Sequence, residues 1–170
     1  MSSRRCSLQE GAPRAPRTDA AEFSWLALNP VAAQFSSAGY PGTFTLEGYR
    51  YIADPAQQAI SLELHWRGQQ PTERPYQFEW VALAENPIDG QVMTVPVFWW
   101  PQNGNYLTPC WRNGDFVRDS LVLDLPFVSQ EVTWEVRLRA VDARTGDVMQ
   151  IRSPDGTLSE AVSLGPIPYP

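Results

Sequence analysis

The sequence predicts an all-β protein, an antiparallel β-sandwich of about seven to nine short strands. Three observations carry that expectation. Stretches with a period of two recur along the chain, the clearest being Ile60, Leu62, Leu64 and Trp66 against Ser61, Glu63, His65 and Arg67, which marks a strand with one buried face. Turn signals fall between such stretches: Gly39-Tyr40-Pro41-Gly42, Asp54-Pro55, Asn86-Pro87, Asp89-Gly90, Asn113-Gly114 and Arg144-Thr145-Gly146-Asp147. Sixteen prolines and seven tryptophans in 170 residues suit a loop-rich β domain, and helix start and stop signals are close to absent. An immunoglobulin-like or jelly-roll topology fits these features better than an up-and-down barrel.

Residues 1–22 mix Ser, Arg, Pro and Ala without apolar periodicity and read as a disordered tail, with residues 23–170 as one sandwich domain. Residues 23–28, which include Trp25, read as an edge strand or an anchor for the tail, and residues 31–35 as a short strand. TFTLEGYRYI, residues 43–52, is dense in Thr, Tyr and Phe, and its Gly48 suggests a bulge or a close backbone approach. The strand around Ile60 comes next, with His65 on its solvated face, and then a polar loop over residues 68–75. Tyr76, Phe78, Trp80 and Ala82 alternate with Gln77 and Glu79 until Val81 and Leu83 make both faces apolar.

Residues 91–98 form a strand whose Pro96 requires a sheet edge or a bulge. Residues 99–109 are irregular. After Asn113-Gly114, a strong hairpin signal, Val117, Leu121, Leu123 and Leu125 form one face; Phe116, Arg118, Ser120, Val122 and Asp124 form the other. Val132, Trp134, Val136, Leu138 and Ala140 alternate with Thr133, Glu135, Arg137 and Arg139. Residues 148–151 and a last strand, 158–164, precede a proline-rich terminus.

Hydrophobic residues make up 43% and charged residues 19%, enough apolar material for one core. A net charge of −6, with arginine as the sole strongly basic residue, argues against a nucleic-acid partner, which needs clustered cations. No apolar run approaches the roughly 18 residues of a membrane span. Arg4 and Arg5 are followed by Gln9, Glu10 and Pro13 where an apolar signal-peptide core would stand, so the literal reading is cytoplasmic. Cys6 and Cys110 make no framework, and a bridge between tail and domain is not expected.

Pro109, Trp111, Gly114 and Asp119, followed by an alternating strand ending in Leu125-Pro126, resemble the β-sandwich domain at the C-terminal end of bacterial membrane glycosyltransferases of the protein-mannosyltransferase-like class. TFTLEGY and ISLELHWRG before that stretch, and VDARTGDVM and AVSLGPI after it, fall in a matching order, so the resemblance spans roughly residues 33–167. It implies an accessory, non-catalytic module on the outer side of a membrane, contacting a protein partner or a cell-envelope glycan. It transfers no catalytic role to any residue here. Trp111, Gly114 and Asp119 are read as the structural corner of that domain.

Candidate chemistry is sparse. His65 is the sole histidine and has no Gly-x-Ser-x-Gly elbow. His and Cys spacing matches no metal-ligand pattern, no cofactor motif is present, and Asp54, Asp89 and Asp115 lie in turns without a run of calcium ligands. Glu63, Glu79 and Glu135 are the carboxylates a small carbohydrate-active enzyme would pair, but Arg67, Arg137 and Arg139 share their faces, as in cross-strand ion pairs. The aromatics offer more. Trp99, Trp100, Asn103, Asn105 and Tyr106 place flat rings and amides on one irregular segment, the groups that stack on a sugar and fix its hydroxyls. Trp66, Trp80 and Trp134 belong to the core. Adjacent residues in extended chain point to opposite sides, so at most one of Trp99 and Trp100 is a natural core residue. A purely structural domain is the remaining alternative.

Overall fold

The alternating stretches become strands of two antiparallel sheets in the computed structural model, which describes residues 29–126 and 131–169. Ten strands follow in order: β1 (Asn29–Ser36), β2 (Thr43–Asp54), β3 (Ala59–Gln70), β4 (Tyr76–Glu85), β5 (Val92–Trp99), β6 (Phe116–Asp124), β7 (Val132–Asp142), β8 (Gln150–Arg152), β9 (Leu158–Ser159) and β10 (Val162–Tyr169). One sheet runs β6-β3-β2-β1-β8-β9 and the other β10-β7-β4-β5. The fold is an all-β sandwich. The expected tail, the segment around Trp25 and Cys6 lie outside the described residues.

The count exceeds seven to nine because the last expected strand is two. β9 pairs with β8 in the six-stranded sheet, whereas β10 pairs with β7 in the four-stranded one. β10 runs on through Pro166 and Pro168 to Tyr169, which a chain end rich in proline did not suggest. An edge strand tolerates the missing donors, and its register slips between Leu164 and Ile167. Pro96 likewise sits in β5, the opposite edge of that sheet. Gly48 lies at the expected irregularity, a register shift between Leu46 and Gly48.

The inward faces interlock around aromatic rings. Phe44 of β2 lies 5.1 Å from Trp111, and Trp66 of β3 stacks on Phe78 of β4 at 4.7 Å. Trp66, Trp80, Trp111 and Trp134 are all fully buried. Large rings dominate buried area, so this cluster ties the sheets together.

Two features of β3 differ from the sequence reading. The strand continues to Gln70 because residues 112–115 supply its second edge. Gly68 donates its N–H to the Asp115 carbonyl at 2.8 Å, and its own carbonyl accepts from Gly114 at 3.0 Å. A Cβ at Gly68 would collide with the Arg112 carbonyl oxygen. His65 is only 2% exposed rather than solvated. Its strand neighbour is Gly48, and its Nε2 meets Glu63 Oε1 at 2.7 Å. Burial holds the imidazole below its ordinary pKa, aided by Arg50 and Arg118 and opposed by the Glu63 hydrogen bond.

Candidate functional site

The chain leaves the edge of the four-stranded sheet at Trp99 and enters the edge of the six-stranded sheet at Phe116. Residues 100–115 make that crossing. They contain a kinked turn, Pro101–Gly104, with non-helical backbone at Gln102 and Asn103, and a single 3-10 turn, Thr108–Cys110. Asn113-Gly114 then turns the chain: Asp115 N–H bonds the Arg112 carbonyl at 3.0 Å, with Gly114 at φ +82°. Glycine suits that left-handed position. The pair does not join two strands of a hairpin, since Trp111 precedes it outside any strand; it aims β6 after an inter-sheet crossing.

Asp119 anchors the start of the crossing. It shares the inward parity of Val117, Leu121 and Leu123 and is 1% exposed. Its Oδ2 accepts the Trp99 indole N–H at 3.2 Å, with Oδ1 at 3.4 Å from the same nitrogen. Oδ1 also accepts backbone N–H groups from Gln102 at 3.0 Å and Ser120 at 3.1 Å. Burial pushes the carboxyl pKa up to about 6, although all three donors pull it down. Desolvation of the charge wins over the hydrogen bonds. The sequence carried a signal for this role: an aspartate at a buried position of an alternating strand.

The far end of the loop is also held. Tyr106 hydroxyl donates to the Cys110 carbonyl and meets Asp115 Oδ2 at 2.7 Å, while Trp111 Nε1 donates to the Tyr106 carbonyl at 2.9 Å. Between the anchors, Gln102 and Asn103 both adopt φ 53°. Left-handed backbone in residues other than glycine costs on the order of 1–2 kcal/mol each. Gln102 also bonds the Arg118 carbonyl through its side-chain amide.

The five expected contact residues therefore divide. Trp99 and Tyr106 pack against the core and spend their polar atoms on the scaffold. Trp100 is half-buried, and Asn103 and Asn105 are exposed. Trp111, Gly114 and Asp119 meet the same crossing but do different things: a core ring, a turn and a buried anchor.

The other candidates are occupied by structural work. Glu79 pairs with Arg139, and Glu135 with Arg137 at 2.8 Å, on the outer face of the four-stranded sheet. Glu63 lies on the other sheet, bonded to His65 and 3.9 Å from Arg118. Asp54, Asp89 and Asp115 each accept a nearby backbone N–H, and no group of three or more potential metal ligands occurs among the described residues. The expectation of no bridge between tail and domain turns on Cys6, which lies outside the described residues. A shallow groove of about 470 Å³ crosses the outer face of the four-stranded sheet, between Leu83 and Val92 on one side and Ser163 and Pro166 on the other. No residue of the 99–106 segment lines it.

No helix among the described residues is long and apolar enough to cross a membrane. No family model and no curated protein matches the chain. Among solved structures, a Bordetella pertussis protein provisionally named ApaA is similar, at 16% identity and a TM-score of 0.31, with 82% of this chain and 94% of that chain covered.

Proposed function

We propose that this chain is a non-catalytic binding module, an accessory sandwich like the one it resembles, that contacts cell-envelope glycan through Trp100, Asn103 and Asn105. The single observation behind this reading is the strained, doubly anchored loop: Gln102 and Asn103 stand in left-handed backbone between the Asp119 and Asp115 anchors. Such strain persists only where surrounding structure enforces it, and it concentrates at ligand sites. A loop held in one shape also loses little entropy when it binds. In this reading the half-buried Trp100 stacks on the C–H side of a sugar, and the two exposed amides supply donors and acceptors for its hydroxyls.

Support for a non-catalytic role comes from the carboxylates. Each of the three that an enzyme would need is engaged by arginine. A glycan array probed with wild type, Trp100→Ala and Asn103→Ala tests the reading. Binding by the wild type and a loss of about tenfold or more for Trp100→Ala is expected. No binding by the wild type to any glycan overturns the sugar assignment and leaves a protein partner as the contact.

A further inference from the structure

We infer that Asp119 is a pH-operated latch on the 99–105 loop, closed when its carboxylate is ionised and loosened at the Trp99 indole by a single proton. The chemistry lies in how unevenly the two oxygens are used. Oδ1 accepts from Gln102 N–H, Ser120 N–H and, weakly, the indole; Oδ2 accepts from the indole alone. The proton therefore goes to Oδ2. There the hydroxyl oxygen is a poorer acceptor for the indole N–H at 3.2 Å than the carboxylate was, and its O–H meets only donors among the groups that hold the carboxyl. Turning the carboxyl over is worse, because it would face the proton toward two backbone N–H groups instead of one indole. Protonation therefore weakens the indole's bond to Oδ2 and leaves Oδ1, 3.4 Å from the same nitrogen, as its better acceptor.

The consequence for the loop follows from connectivity. Trp99 is the last residue of β5, and Gln102 begins the left-handed pair that presents Asn103. With the indole bond weakened, the strained pair keeps only neutral hydrogen bonds to a protonated acid, which are about half as strong as charge-assisted ones. The proton comes at a moderate pH because the group is buried, with its pKa pushed up to about 6.

No charged side chain competes for the carboxyl. Asp119 pairs with Leu64 in the β3 register, so Glu63 and His65 turn to the opposite sheet face. Arg118, its neighbour on β6, is exposed on that outer face. From the crossing segment come Trp99 and Gln102, both uncharged. The influences on the carboxyl are burial and its hydrogen-bond donors.

The latch is a property of the fold; that it regulates binding rests on the proposed glycan site. Indole ¹H–¹⁵N spectra of the full chain between pH 4.5 and 8, with the Trp99 signal assigned by Trp99→Phe, test it directly. The Trp99 resonance is expected to move with one midpoint near the carboxyl pKa of about 6, while Trp66, Trp80 and Trp134 stay still. In Asp119→Asn, whose amide NH₂ mimics the protonated oxygen, the signal should sit at its acid position at every pH. A Trp99 signal that does not titrate in the wild type overturns the latch whether or not the variant folds, as does a titration that survives in a folded Asp119→Asn.

Glycan affinity measured at pH 5 and 7.5 separates the two readings. About tenfold weaker binding at pH 5 is expected if only the ionised fraction is competent. Titration without binding at either pH keeps the latch and discards the glycan site. Binding without titration does the reverse.

Discussion

The Trp99 indole nitrogen lies 3.2 Å from Asp119 Oδ2, joining the last residue of the four-stranded sheet's edge strand to the edge strand of the six-stranded sheet. One hydrogen bond thus spans the side of the sandwich where the chain crosses between layers. A carboxylate in that position is an unusual choice, since burial of the charge opposes it. The pairing makes sense as a holder of the strained loop that begins three residues on.

Stability should respond to pH through this group with a definite sign. The folded carboxyl titrates at about 6 and its ordinary value is 3.8. Between those values the native state keeps a proton that the unfolded chain has released, so this contribution to stability falls as pH rises through the window. The full effect is about 2–3 kcal/mol. Urea denaturation of wild type and Asp119→Asn from pH 4 to 7.5 should show the variant gaining on the wild type by that amount. A constant difference across the range would show that Asp119 is not the source.

The two neighbouring tryptophans should behave in opposite ways. Trp99→Ala removes a ring packed against the core and leaves the buried Asp119 oxygens short of a donor, at a cost of about 3 kcal/mol in denaturant unfolding. Trp100→Ala, outside the core cluster, should change stability by less than about 1 kcal/mol while weakening glycan binding by about tenfold or more. Equal destabilisation by the two would place Trp100 in the scaffold.

Gly68 and Gly114 separate steric closeness from backbone conformation. Gly68→Ala must push the 112–115 turn off β3, because its methyl meets the Arg112 carbonyl, and a loss of about 2–4 kcal/mol is expected. Gly114→Ala meets no atom within 4 Å and suffers only from φ +82°, about 1 kcal/mol. Thermal unfolding should rank them in that order.

Thr108 tests the inner end of the crossing. Its buried hydroxyl oxygen accepts from Thr72 at 2.8 Å and from the Tyr76 N–H at 3.1 Å. Thr108→Val keeps the shape and strands the Tyr76 N–H, while the Thr72 hydroxyl still reaches the Arg74 carbonyl at 2.7 Å, so about 1–3 kcal/mol should be lost. Thr108→Ser, which retains the oxygen, should recover more than half of it in the same denaturation assay.

Most of the architecture could be read from local pattern. A period of two specifies which side chains of β3, β6 and β7 share a face, and Pro96 specifies an edge, because these are properties of a single extended chain. The sorting of those strands into sheets is not local. Nothing in residues 158–164 marks where β9 ends in one sheet and β10 begins in the other; the partners β8 and β7 settle that. The aromatic and amide residues at 99–106 were legible as a cluster, yet Trp99 and Tyr106 turned inward because their partners, Asp119 and Asp115, arrive from later in the chain.

Sequence periodicity established an all-β chain, its buried faces and its turns, since each depends on steric preferences within a few residues. The packing of two sheets decided the rest: that His65 is enclosed, that Asn113-Gly114 turns an inter-sheet crossing instead of a hairpin, and that a buried aspartate holds the loop. Burial and hydrogen-bond partnership are properties of neighbours distant in sequence, and they exist only once the two layers have met.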